Sequence, residues 1–201
     1  SGVLREMRGT VVGDEIARLF DEKGMKLVLK PMAAGTQGEF EASTREISLS
    51  KGEIERWLRR ENLTVSALLK GGDAFRDLVL AVTPVVLHEG VHLQQDVWQK
   101  AGRFPDIAGQ SQEVEANARE AAFILEKAAR DKAYRTFLEK NQERFVLVGS
   151  AVSQSAALAR DPAAFRAAIM TENYPNNPSL EADSAVAAGA SEAQRRADAA
   201  R

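Results

Sequence analysis

Apolar residues recur on two different periods along this chain, and the change of period divides it into elements. After Thr10, whose hydroxyl suits a helix N-cap, Val12, Ile16, Leu19 and Phe20 return at helical spacing and Gly24 supplies a stop. From Met25 to Met32 the pattern shortens to alternation, with Met25, Leu27 and Leu29 facing one way, which predicts a strand. Ala34-Gly35-Thr36-Gln37-Gly38 reads as a turn. A second extended segment follows from Glu39 to Ser50: Phe40 and Ala42 point inward, Ser43-Thr44-Arg45 breaks it, and Ile47 and Leu49 point inward again. The expected product is a small antiparallel sheet.

Beyond the sheet the helical period takes over. Ser50 and Glu53 form a capping-box signal for a helix to about Asn62, with Ile54, Trp57 and Leu58 on its buried side. Thr64 to Lys70 is a short helix closed by Gly71-Gly72, and Asp73 caps another from Ala74 to Val82. Thr83 is expected as the cap and Pro84 as the first turn of a further helix, running to about Lys100 and stopping at Gly102. A loop from Arg103 to Gly109 leads into a helical stretch from Ser111 to about Lys140. Phe145 to Leu158 favours helix, Asp161-Pro162 opens one ending near Thr171, and Asn173 to Pro178 is loop. The reading is one domain over 1–178, with Ser179 to Arg201 as an Ala-rich exposed helix or partly disordered tail.

One helical stretch is chemically unlike the rest. Leu78 to Leu93 is mostly apolar, yet it carries His88-Glu89-Gly90-Val91-His92, and these are the only two histidines in the chain. Burying two imidazoles and a carboxylate costs several kcal/mol unless they are paired or bind a metal. Positions i and i+4 of a helix lie one above the other, so both imidazoles reach one ion while Glu89 sits beside them to hold a water. A zinc hydrolase needs this set: two neutral nitrogen ligands, an open position, and a base for the water's proton.

Composition narrows the site further. There is no cysteine, so disulfides, thiolate ligands and thiol nucleophiles are excluded, and a transition-metal site must recruit carboxylate. The formal net charge of −2 gives no general attraction to nucleic acid or anionic membrane. Arg56, Arg59 and Arg60 flank Trp57, but Glu53, Glu55 and Glu61 are interleaved with them, as on a solvated helix face. The longest apolar run is interrupted by Thr83, Pro84 and the motif, so no membrane-spanning helix is expected. No signal-peptide pattern is visible, and the lack of cysteine does not choose between cytoplasm and exterior.

A third ligand must come from downstream. Asp96 lies about 12 Å from His88 along a helix axis, too far to close a compact site. Asp106 sits in the loop with nothing to position it. Glu113 and Glu115 open the next long helix, which has room to return antiparallel. Glu115 aligns with Ala118, Ala122 and Leu125 on a small apolar face, and Glu113 aligns with Asn117 and Glu120. An inward-pointing ligand favours Glu115, with Glu113 as the alternative.

His88-Glu89-Gly90-Val91-His92 followed by a helix bearing Glu115-Ala116 resembles the gluzincin branch of the HExxH zincin metallopeptidases, and Glu113-Val114-Glu115-Ala116-Asn117 is similar to the second-motif helix of ImmA/IrrE-type peptidases. Gln95 and Trp98 stand where Met-turn zincins carry Gly and His. Arg119 and Glu120 depart from the Phe and Ala usual in ImmA/IrrE-type enzymes. The resemblance covers His88 to Leu125. It implies a mostly helical α+β, zincin-like domain that hydrolyses peptide bonds. His88, His92 and Glu115 would bind Zn²⁺, with water in the fourth position and Glu89 as the general base. Arg119, Tyr134 and Tyr174 are candidate oxyanion donors, though a surface salt bridge, packing and loop anchoring, respectively, are the stronger accounts of them.

A peptide substrate would add to the edge of the Glu39–Ser50 segment, whose Glu39, Glu41 and Glu46 form either an acidic rim suited to basic peptides or simply a solvated strand face. Gln95 is placed to support the site, or merely packs. Gly90, costing about 1 kcal/mol against Ala at mid-helix, is expected to admit a neighbouring backbone. Two other classes compete. A di-iron bundle needs a second Glu-x-x-His on another helix, and no histidine remains for it. A helical scaffold with a structural metal needs a fourth protein ligand.

Overall fold

The computed structural model describes residues 2–33, 35–103 and 109–173. Two helices lead, α1 (Gly2–Met7) and α2 (Val11–Lys23). Thr10 caps α2 by accepting from the Gly13 amide, and Gly24 ends it at φ 62°, a left-handed conformation that favours glycine. Three strands follow, β1 (Lys26–Lys30), β2 (Gly38–Glu41) and β3 (Glu46–Ser50). Then come α3 (Lys51–Arg60), α4 (Val65–Leu69), α5 (Asp73–Lys100), α6 (Gly109–Arg130), α7 (Lys132–Asn141), α8 (Val146–Arg160) and α9 (Pro162–Asn173). The class is the expected mostly helical α+β.

The sheet is mixed, which corrects the antiparallel expectation. Its order is β1-β3-β2. The Glu39–Ser50 segment folds on itself as a hairpin, with Ala42 exposed in the turn and Arg45 at φ 55°. Phe40 sits opposite Ile47 across that antiparallel pair. β1 then adds in parallel to the other side of β3, Leu27 opposite Ile47 and Leu29 opposite Leu49. β3 takes the centre because Ile47, Ser48, Leu49 and Ser50 are all buried, whereas Leu29 on β1 is 55 % exposed. Both β1 and β2 are therefore edges.

Helix α5 is the longest element and the second correction. The expected break at Thr83-Pro84 does not occur: a single helix runs from Asp73 to Lys100 with Pro84 inside it, and its N-cap is Gly72. Pro84 has no N–H for the Leu80 carbonyl, a defect of about 3 kcal/mol in an open helix. Thr83 Oγ1 donates to the Val79 carbonyl at 2.7 Å, which satisfies the buried hydroxyl but does not replace the donor missing at Leu80. Val79 to Leu87 is buried throughout, each large side chain contributing roughly 1.5–3 kcal/mol, so a break would cost more than the proline does.

Gly90 on α5 meets α2. A Cβ there would lie 2.3 Å from Ile16 Cγ2 and 3.0 Å from Phe20 Cε2, so it is two side chains of α2, rather than a backbone, that use the space. The larger apolar cluster joins α1, α2, β3, α3 and α5 to α6, α7 and α8, and Trp57 stacks on Phe145 at 5.0 Å between ring centroids. The stretch expected as one helix from Ser111 to Lys140 breaks at Asp131, whose carboxylate caps α7 by accepting from the Ala133 and Tyr134 amides. The loop at 104–108, the loop at 174–178 and the tail at 179–201 fall outside the described residues.

Candidate metal centre

Helices α5 and α6 run antiparallel, as their side-chain pairs require: His88 meets Glu120, His92 meets Glu113, and Gln95 meets Gln112. The helical spacing of His88 and His92 puts both rings on the α6-facing side of α5. Their Nε2 atoms are 3.2 Å apart. Glu113 reaches both, Oε2 at 3.3 Å from His88 Nε2 and Oε1 at 3.2 Å from His92 Nε2. These three residues form a group whose ligand atoms lie close enough to share one ion.

The opposite face of each ring is also held. His88 Nδ1 is 3.1 Å from Glu120 Oε2, and His92 Nδ1 is 2.9 Å from Gln95 Oε1. The Gln95 amide is oriented by its own donors, since Nε2 gives to the Gln112 carbonyl at 3.1 Å and to Glu115 Oε2 at 3.3 Å. With its oxygen turned to His92, Gln95 accepts from Nδ1–H, and Glu120 does the same for His88. Each Nε2 lone pair is then aimed at the same point as the Glu113 carboxylate. Three basic atoms converging within 3.3 Å repel one another unless a cation, a proton or a metal, stands between them. The donor set of two imidazoles and one carboxylate suits zinc.

Electrostatics follow from that geometry. Burial alone would lower the His88 pKa, but hydrogen bonds to Glu113 and Glu120 outweigh it and push the value up to about 10. Burial works to raise Glu113, and the two imidazoles overcome it, holding the carboxyl well below the usual range. Glu89 is different. Among the described residues it makes no such bond, and burial, partly countered by His88 and His92, pushes its pKa up.

Glu89 lies on the wall of a cavity of about 750 Å³, shared with His88, His92, Glu113 and strand β2. Gly38 lets β2 approach this closely: a Cβ there would stand 2.7 Å from Val85 Cγ1 and 2.9 Å from Glu89 Oε1.

Of the expected residues, His88, Glu89 and His92 come together and Glu115 does not join them. Glu115 is spent on Gln95, and Glu113 takes the position between the imidazoles. The face of α6 that meets α5 at this level is a polar stripe, Glu113, Asn117 and Glu120, so choosing by apolar neighbours selects the glutamate that does not reach the imidazoles. Glu120 is the residue missed, although its spacing of seven from Glu113 on a helix is the signal that places it. Gln95 takes the supporting position. Arg119 pairs with Glu15 and Gln94 behind the site, and Tyr134 is 1 % exposed with Lys127 over its ring. Neither lines the cavity. Asp106 and Tyr174 lie outside the described residues. No protein-family model matches the chain, and neither do any curated proteins or solved structures.

Proposed function

We propose that this chain is a zinc-dependent metallopeptidase. The observation that carries the reading is the convergence of His88 Nε2, His92 Nε2 and the Glu113 carboxylate on one point at the wall of an open cavity, with Glu89 alongside. A zinc ion held by these three residues supplies a water of near-neutral pKa and polarises a bound carbonyl. Glu89 takes a proton from the attacking water on its carboxylate and returns it to the leaving amine nitrogen. His88 and His92 are kept in one tautomer by Glu120 and Gln95. An extended peptide pairs with the open edge of β2, the strand that Gly38 brings against Glu89.

A structural metal site would be closed by four protein donors. Here three converge among the described residues, which favours catalysis over the scaffold reading.

Metal content and hydrolysis of a diverse peptide library test the proposal together. After dialysis against a mild chelator, wild type and Glu115→Ala should keep about one zinc per chain and Glu113→Ala should lose it. Glu89→Gln should keep zinc and lose at least about 100-fold in turnover. Zinc lost from Glu115→Ala but kept by Glu113→Ala would return the third ligand to Glu115. A zinc-replete wild type that cleaves no member of the library would refute the activity.

A further inference from the structure

The cavity at the metal centre is a trough that runs past it in both directions. Val85, His88, Glu89, His92, Asp96 and Gln99 all line it. Apart from the adjacent His88 and Glu89, they recur every three or four residues, so the floor is one continuous stripe of α5. At a rise of 1.5 Å per residue the stripe is about 21 Å long, and the level of the two imidazoles lies about 7.5 Å from its Val85 end and about 13.5 Å from its Gln99 end. The wall formed by residues 35–40 repeats the arrangement. Gly38 stands against Glu89, Phe40 continues the lining on one side of it, and Gly35, Thr36 and Gln37 continue it on the other.

The same wall offers main-chain partners. The Ser50 amide donates to the Gln37 carbonyl at 3.0 Å, and Gly38 lies opposite Leu49 and Phe40 opposite Ile47. In an antiparallel pair, alternate residues direct both main-chain groups to the same neighbour. Gln37, Glu39 and Glu41 therefore face β3, whereas Gly38 and Phe40 turn N–H and C=O to the free edge, where no described residue takes them. An added extended chain would pair with these groups. They recognise backbone, and need neither a terminal amine nor a terminal carboxylate.

An extended chain advances about 3.3 Å per residue, so the trough holds about six residues, with roughly two or more on each side of the metal. A site that removed single residues would instead end within about one residue of the reacting carbonyl. Resting on the peptidase reading, we infer that this is an endopeptidase for extended polypeptide segments, which cuts an internal bond and requires no free terminus. One water is consumed. Its oxygen bonds to the carbonyl carbon as the C–N bond breaks, and its protons go to the leaving nitrogen, the first by way of Glu89, giving a carboxylate and an ammonium group.

The test uses the zinc-loaded full chain and internally quenched peptides of about four to ten residues, acetylated at one end and amidated at the other, built around a sequence cleaved in the library. Blocked peptides of about six residues or more should be cut at internal bonds, roughly two or more residues from either end, as read by mass spectrometry. The ratio kcat/KM should rise about tenfold between about four and six residues and then level off, because remote contacts are used in the transition state. Asp96→Trp, at a part-exposed position on the longer arm of the trough, should remove most of that rise and leave the shortest peptide unchanged. Zinc-loaded Glu89→Gln, followed by fluorescence anisotropy, should bind a blocked peptide within about twofold of the same peptide with free ends. Inert blocked peptides, with single residues released from free-ended ones, would overturn the inference and leave hydrolysis standing. A rate indifferent to length would overturn it as well. Hydrolysis of no peptide, blocked or free, would refute the peptidase reading itself.

Discussion

At the scale of single residues, the centre depends on atoms that would never touch a metal. An imidazole presents its Nε2 lone pair outward only if the proton stays on Nδ1, and that proton is kept there by an acceptor behind the ring. Glu120 supplies it for His88 and Gln95 for His92. Zinc affinity, measured by competition with a chelating dye, should therefore fall about tenfold in Glu120→Gln and toward 100-fold in Glu120→Ala. Unchanged affinity in the alanine variant would mean that the ring is fixed by packing alone. The two histidines and Glu89 were legible because the i, i+4 spacing needs no knowledge of the partner helix. The third position was not. Glu113 and Glu115 lie on different faces of α6, and which face meets the imidazoles depends on how α6 rotates against α5, a tertiary fact. Of the apolar residues aligned with Glu115, Ala118 packs against the cluster holding Phe165 and Ile169, and Leu125 is exposed.

Elements were most legible where local chemistry decides them. Thr10 and Ser50 each cap the helix expected of them, and Thr64 caps α4 in the same way, since a hydroxyl accepting an amide within three residues needs no distant partner. Expectation failed where burial overrides the local signal, as at Pro84, or where strand neighbours are chosen by the core, as with β1 joining β3. Gly90 combines both levels. Alanine there gains about 1 kcal/mol in helix propensity, yet its methyl would stand 2.3 Å from Ile16 Cγ2. Overpacking of this kind costs about 1–3 kcal/mol. Gly90→Ala should thus destabilise the protein in urea unfolding when Ile16 is present, and become neutral or stabilising in an Ile16→Ala background, where the obstructing methyl is gone. Additive effects in that double-mutant cycle would show that α2 does not constrain the motif helix at this point.

Across the whole molecule, α6 is the helix on which the separate parts converge. Its Lys127, with a side chain 9 % exposed, donates to the Glu6 carbonyl at 2.7 Å and pairs with the Glu6 carboxylate, fastening α1. Glu126 accepts from the Val11 amide at 2.9 Å, and Arg119 links Glu15 of α2 to Gln94 of α5. The cluster of His88, His92 and Glu113 is one more tie between α5 and α6, and among the described residues the only one in which like-disposed lone pairs confront each other. A metal that binds the folded pair and not the unfolded chain adds stability by mass action, about 2.7 kcal/mol at a free concentration one hundred times Kd. For a chain of this length that corresponds to a rise in Tm of roughly 5–10 °C. Wild type scanned with zinc should therefore melt well above the same protein stripped by chelator. Glu113→Ala should show little of that difference, because the ion would be left with two protein ligands. Glu39→Gln should keep all of it, since that carboxylate is exposed on β2 and holds no helix. Coincident melting curves for wild type with and without saturating zinc would mean that the imidazoles and Glu113 do not form a metal-binding unit in the folded protein.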